Sequence, residues 1–200
     1  MKHLNYIGGH LRMDYLPTLT SLEGGPKEVR GDFSMLGLIS LKNLKGGPRK
    51  VGGIFITGGA IESFDGAPKT ITGGVSIINL STIRNLKGFP KDIGHNVTVS
   101  NCALLTDITG LPKKINGWLD LTSNVNLKSF KGGPEEVGLD LYMQRTYLDD
   151  LEGFPKRVNG DIFISKRYAP ENERLYRPGE IRVTTKEIRQ VCEFRDFKFV

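Results

Sequence analysis

Side chains able to do acid–base, nucleophilic or metal chemistry are few in this chain, and their spacing does not assemble them. The three histidines are His3, His10 and His95. A general base needs its partner within hydrogen-bond reach, and these three fall in different repeats or at the N-terminal end, with no closely spaced His/Cys/Asp/Glu cluster resembling a metal site. Cys102 and Cys192 stand apart, outside any paired metal or redox spacing. The acidic pairs Glu135-Glu136 and Asp149-Asp150 read as solvated turn charges. The Gly-Gly pairs are not followed by the Gly-Lys-Ser/Thr that a phosphate loop requires. The residue chemistry therefore points away from an enzyme, and it implies no catalytic residue, no metal and no cofactor.

What remains is binding, and the elements that would present a binding surface are repeats. Prolines recur at Pro26, Pro48, Pro68, Pro90, Pro112, Pro134 and Pro155, at intervals of 22, 20, 22, 22, 22 and 21 residues. A glycine stands two before each: Gly24, Gly46, Gly66, Gly88, Gly110, Gly132 and Gly153. Apolar residues stand four and seven before, as in Leu41 with Leu44, Ile83 with Leu86 and Leu127 with Phe130. Seven copies in one register are the signature of a stacked solenoid.

After each proline an aliphatic residue holds the third place, from Val29 and Val51 to Val137 and Val158. An alternating pair follows: Phe33 and Met35, Val75 and Ile77, Val97 and Val99, Leu119 and Leu121, Leu141 and Met143, Ile162 and Ile164. Alternation over so few residues, bounded by glycine, predicts a short strand with one buried face. The coil after Pro48 lacks two residues, and either Ile54 and Ile56 or Phe55 and Thr57 face inward there. Ile7, Gly9, Leu11 and Met13 repeat the same order, with Leu4 in place of the proline, as an atypical first coil.

The prediction is a mainly β repeat solenoid of about eight coils over residues 1–165. One parallel sheet of eight strands would run roughly 34 Å at about 4.8 Å per strand. Turns, extended arms or 3₁₀ pieces would form the convex side. The glycine before each proline is expected at positive φ or at a close backbone approach. Residues 166–200 carry nine basic and six acidic residues and lack the Gly-x-Pro signature. They read as a small α/β capping segment. Pro170, Pro178 and Gly179 mark turns, and Ile181 and Val183 suggest a strand. Thr184 with Glu187 forms a capping box, opening a helix through about Arg195 with Ile188, Val191 and Cys192 on one face. Phe194, Phe197 and Phe199 supply apolar cover.

Leu119-Asp120-Leu121-Thr122-Ser123-Asn124, with Leu127 beyond, resembles the leucine-rich-repeat superfamily. The likeness is to the short Gly-x-Pro variants of tailed-phage and bacterial proteins, and it covers residues 4–165. It implies that Asn124 and Cys102 bond the backbone of their turns. It implies further that the strand face recognises protein, and that a phage relative acts inside an infected bacterial cell. Three residues separate Ile115 from Leu119 where the superfamily has two. Leu38 and Leu80 stand where Asn is used, so a continuous side-chain ladder is broken.

Two surfaces are candidates for recognition. The outward strand face carries Trp118, Tyr142 and Phe163 in three successive coils, with Asp120, Asp140, Gln144 and Arg145 nearby. Aromatics beside arginine have the composition of interface anchors. The expectation is a non-catalytic module for an unidentified host or viral protein, with self-association as its competitor. The second surface follows the prolines: Lys27, Arg49, Lys50, Lys69, Lys91, Lys113, Lys114, Lys156 and Arg157 would align into a basic edge. Nucleic-acid or anion binding along that edge is the alternative. It is the lesser one, because 28 basic against 22 acidic residues is a modest excess and Glu135-Glu136 interrupts the row. The first residues hold no apolar run long enough for a signal peptide, and no apolar stretch approaches 18 residues, so no membrane span is expected. Together with the unpaired cysteines this predicts a cytoplasmic protein, in the host cytoplasm if phage-encoded.

Overall fold

The computed structural model describes residues 5–165 and 184–200. The chain winds as a mainly β, parallel solenoid. Each coil contributes a two-residue strand just after the proline position and a main strand a few residues later. The first coil holds β1 (Tyr6–Ile7) and β2 (Leu11–Arg12), the second β3 (Glu28–Val29) and β4 (Phe33–Leu38). Next come β5 (Lys50–Val51) with β6 (Phe55–Gly59), and β7 (Thr70–Ile71) with β8 (Val75–Leu80). They are followed by β9 (Asp92–Ile93) with β10 (Val97–Ser100), and β11 (Lys114–Ile115) with β12 (Leu119–Asp120). The last coils hold β13 (Glu136–Val137) with β14 (Leu141–Tyr142), and β15 (Arg157–Val158) with β16 (Ile162–Ile164). Helix α1 (Thr185–Val191) and β17 (Phe197–Phe199) close the C-terminal end.

The main strands form one parallel sheet in the order β17-β16-β14-β12-β10-β8-β6-β4-β2. Eight of these nine come from the repeats, so about seven turns of chain separate the first from the last. The single sheet expected from the sequence has a companion. The two-residue strands build a second parallel ladder, β1-β3-β5-β7-β9 and then β11-β13-β15. The aliphatic residue after each proline faces the core, so its neighbours are held in extended backbone and their peptide groups meet those of the next coil. Period-two patterning cannot reveal so short a strand, because only one inward residue marks it.

Inward residues stack in columns one coil apart. Phe33, Phe55, Val75, Val97, Leu119, Leu141 and Ile162 are all at most 2% exposed, and the strand register places them in line. In the shortened coil Phe55 and Thr57 face inward, paired with Phe33 and Met35. The two missing residues are absorbed after Thr57, where the register shifts. The glycines before the prolines all have positive φ, between 73° and 123°. At Gly110 a Cβ would lie 1.8 Å from the Leu86 carbonyl oxygen, so the coils can close up only on a bare backbone there.

The core also holds the turn-bonding side chains. Asn124 is fully buried; its Nδ2 donates to the carbonyls of Val99 (2.7 Å) and Leu121 (2.8 Å), and its Oδ1 accepts from the Cys102 amide (3.0 Å). Thr146, one coil on, donates through Oγ1 to the Leu121 carbonyl (2.7 Å). Leu38 and Leu80 fill the equivalent space without bonding. Cys102 and Cys192 are free, buried thiols, and burial pushes them up to about 11 and about 12 respectively.

The C-terminal segment differs from expectation in two respects. The capping box is present: Glu187 Oε2 accepts from the Thr184 amide (2.7 Å) and Thr184 Oγ1 from the Glu187 amide (3.3 Å). The helix nevertheless stops at Val191 rather than Arg195, and Val191 is exposed while Ile188 and Cys192 are buried. Cys192 is already extended because the chain turns into a ninth strand. Phe197, Lys198 and Phe199 pair in parallel with Ile162, Phe163 and Ile164. The cap therefore prolongs the sheet edgewise. The turns at Pro170, Pro178 and Gly179, the strand suggested at Ile181 and Val183, Leu4 and His3 lie outside the described residues.

Candidate protein-recognition surface

The outward face of the main sheet is read in columns, because each coil sets its residues beside their equivalents in the next. The column just ahead of the strands runs His10, Asp32, Ile54, Gly74, Asn96, Trp118, Asp140, Asp161 and Asp196. Several of its side chains tie coil to coil. Asp32 Oδ1 accepts from the Ile54 amide (2.7 Å), Asn96 Oδ1 from Trp118 (3.1 Å) and Asp140 Oδ1 from Asp161 (2.8 Å). These carboxylates and amides satisfy backbone donors that the ladder leaves over at the strand entrance.

The next outward column ends Thr98, Asp120, Tyr142, Phe163 and Lys198. Tyr142 and Phe163 stack, with ring centroids 4.5 Å apart and planes at 17°. Asp140 Oδ2 accepts from the Tyr142 hydroxyl (3.3 Å). Burial, with the charges of Asp140, Asp120 and Asp161 adding to it, pushes the Tyr142 phenol above its ordinary value. The ring pair is thus neutral and bordered by carboxylates. Asp161 is buried under Arg195, which grips it through Nε (2.7 Å) and Nη2 (2.9 Å). That grip holds the Asp161 carboxyl below its usual range.

Trp118 is 40% exposed. It lines a depression of about 510 Å³ with Ile54, Gly74, Ser76, His95 and Asn96. Gly74 supplies the hollow: it stands in the same column as Ile54 and Trp118 and has no side chain. Gln144 Oε1 accepts from the Thr122 hydroxyl (3.0 Å) at the far edge of the face. Arg145 sits at the strand-end corner with φ 56°, and its amide donates to Ser165 Oγ (2.9 Å).

The structure thus brings Asp120, Asp140, Tyr142 and Phe163 into one patch. It puts Trp118 beside them in the adjoining column, at the depression, and sets Gln144 and Arg145 along the rim. Asp161, Arg195 and Lys198 belong to this patch as well. Asp161 carried a sequence signal through its column, whereas Arg195 and Lys198 join only through the register of β17. Arg145 shares its left-handed corner with Tyr15, Gly37, Asn79, Asn101 and Ser123, a column in which the glycine and the two asparagines are the sequence clues.

The nine basic residues fall into two columns rather than one row. Lys27, Arg49, Lys69, Lys91 and Lys113 succeed one another, then Glu135 and Lys156. Glu135 pairs with Lys156 (3.2 Å) and lies 3.9 Å from Lys113. In the second column Lys50 meets Glu28 (3.9 Å), Lys114 meets Glu136 (3.0 Å) and Arg157 meets Glu193 (3.4 Å). His10 and His95 are separated by three coils; His10 Nδ1 accepts from the Asp32 amide (3.0 Å).

Protein-family models, curated proteins and solved structures contain no match to this chain. Among the described residues no helix is long and apolar enough to cross a membrane.

Proposed function

We propose that this solenoid is a non-catalytic protein-recognition module of leucine-rich-repeat type, binding through the C-terminal half of its outward sheet face. The observation that carries the reading is the stacked Tyr142–Phe163 pair. Two large rings stand on the outer side of a sheet whose cap, through β17, prolongs the sheet edgewise. Tyr142 and Phe163 act as anchors with Trp118, while Asp120, Asp140, Gln144 and Arg145 orient the partner. A stacked sheet presents such a patch at little conformational cost, since its backbone is already ordered. The short Gly-x-Pro coils favour a phage-type relative, with a host or viral protein as the partner. Free buried thiols suit a reducing cytoplasm.

The test is affinity capture from lysate of the native or infected cell, comparing the wild type with Trp118→Ala/Tyr142→Ala. A partner retained by the wild type and lost by the variant supports the assignment. Equal retention removes the patch from consideration. Elution of the wild type alone as a dimer reassigns the face to self-association.

A further inference from the structure

We infer that a second site, for an oligophosphate anion, lies along the turns that follow the prolines, at the N-terminal end of the basic column. Lys27, Arg49 and Lys69 occupy the same place in three adjacent coils. The Arg49 amide donates to the Lys27 carbonyl (2.8 Å) and the Lys69 amide to the Arg49 carbonyl (2.8 Å). The backbone therefore sets the three residues about one strand spacing, roughly 4.8 Å, apart. Lys45 joins them from the turn before Pro48, and together with Gly46, Gly47, Gly66 and Ala67 they line a cleft of about 340 Å³. Glu23 is the one carboxylate in the lining. Four cations less one carboxylate leave the cleft at +3.

Salt-bridge partners distinguish this cleft from the rest of the basic edge. Further along that edge cations meet carboxylates, as in Lys50–Glu28 (3.9 Å), Lys114–Glu136 (3.0 Å), Lys156–Glu135 (3.2 Å) and Arg157–Glu193 (3.4 Å). Lys91 turns its ammonium onto the Gly110 carbonyl (2.6 Å). Among the described residues Lys27, Lys45, Arg49 and Lys69 have no carboxylate within ion-pair distance. Like charges held one rung apart without counter-charge repel, and a compact polyanion relieves that repulsion at all of them together. Arg49 at the centre offers a planar fork of donors suited to phosphoryl oxygens. The span from Lys27 to Lys69 is about 10 Å at two strand spacings, the scale of a short phosphate chain. No aromatic side chain lines the cleft, so nothing there stacks on a nucleobase. The phosphate chain itself is the group recognised.

The experiment is calorimetric titration of the full chain with sodium tripolyphosphate and, separately, ATP, at about 50 mM and 150 mM salt. Tripolyphosphate is expected to bind, more weakly at the higher salt, and ATP about as well. Arg49→Gln should weaken it about tenfold or more, and Lys114→Gln, whose residue is already paired with Glu136, less than about twofold. Circular dichroism checks that these exposed-site variants fold. No binding by about 1 mM tripolyphosphate at low salt would overturn the inference. So would an Arg49→Gln variant with wild-type affinity, or ATP binding without tripolyphosphate binding. Equal weakening by Lys91→Gln would also overturn it, assigning the effect to the whole edge. Loss of the Trp118/Tyr142 surface leaves this readout unchanged, so the two proposals fail separately.

Discussion

Replacing Asn124 isolates the contribution of one buried side chain to the closing of its turn. Asn124→Ala removes three hydrogen bonds, but the Leu121 carbonyl keeps its bond from Thr146 Oγ1. Two backbone groups, the Val99 carbonyl and the Cys102 amide, lose the partner the side chain gave them. Each buried group left unsatisfied costs about 1–3 kcal/mol, and the vacated volume adds a cavity term. The expected loss is therefore about 3–7 kcal/mol. Asn124→Leu separates the two terms. Leucine restores the volume, as Leu38 and Leu80 do in their own coils, but not the bonds, so about 2–6 kcal/mol should still be lost. Urea denaturation followed by far-UV circular dichroism and by Trp118 fluorescence gives both values, with coincidence of the two probes as the check on cooperativity. Losses below about 1 kcal/mol for both variants would refute the bonding argument. A wild-type Asn124→Leu beside a damaged Asn124→Ala would show that packing alone matters.

Further perturbations address the strands, the glycines, the thiols and the surface. Leu121→Ala, at a fully buried inward position, should cost about 2–5 kcal/mol in the same denaturation assay. Gly110→Ala places a methyl group 1.8 Å from a carbonyl oxygen at φ 123° and should cost about 3 kcal/mol or more. Gly24→Ala meets nothing within 4 Å, so its loss should be confined to the left-handed strain of about 1–2 kcal/mol. The thiols ionise at lower pH in the unfolded chain than in the fold, where burial raises them from 9.0 to about 11 at Cys102 and to about 12 at Cys192. Their contribution is intact below pH 9 and declines as pH rises through the folded values, by up to about 1.4 kcal/mol per pH unit for each thiol. Cys102→Ala should flatten that decline in unfolding measured from about pH 8 to 10.5, and an unchanged slope would count against it. On the outer face, truncating a central anchor such as Tyr142 to Ala should weaken partner binding by about thirtyfold, read by titration against the captured protein.

The fold was legible because the repeat states its own register. Each Gly-x-Pro marks a turn, and each aliphatic residue and alternating pair marks an inward face. The parts that escaped are those with no such marker. The two-residue strands after the prolines contain a single inward residue, too little for a period to show. The ninth strand lacks the Gly-x-Pro sequence, and Phe197-Lys198-Phe199 identifies itself only by lying against Ile162–Ile164. The helix end was misplaced for the same reason. A capping box fixes where a helix starts, whereas its end at Val191 is decided by the strand pairing that follows.

The candidate site was legible to the extent that a solenoid turns sequence spacing into distance. Residues one repeat apart become neighbours, so Tyr142 and Phe163, separated by 21 positions, could be placed together before any coordinates. Direction within a column could not. Trp118 and Asp140 share a column, yet Trp118 lines the hollow at Gly74 while Asp140 bonds Tyr142 and the next coil. The same logic separates the two columns of the charge pattern. Lys114 and Glu136 are one repeat apart and neutralise each other, whereas Lys27, Arg49 and Lys69 are one repeat apart with the same sign. In a stacked architecture a repeated charge is amplified and an alternating charge is cancelled. The sign sequence down one column, rather than the net charge of the chain, decides where an anion is held.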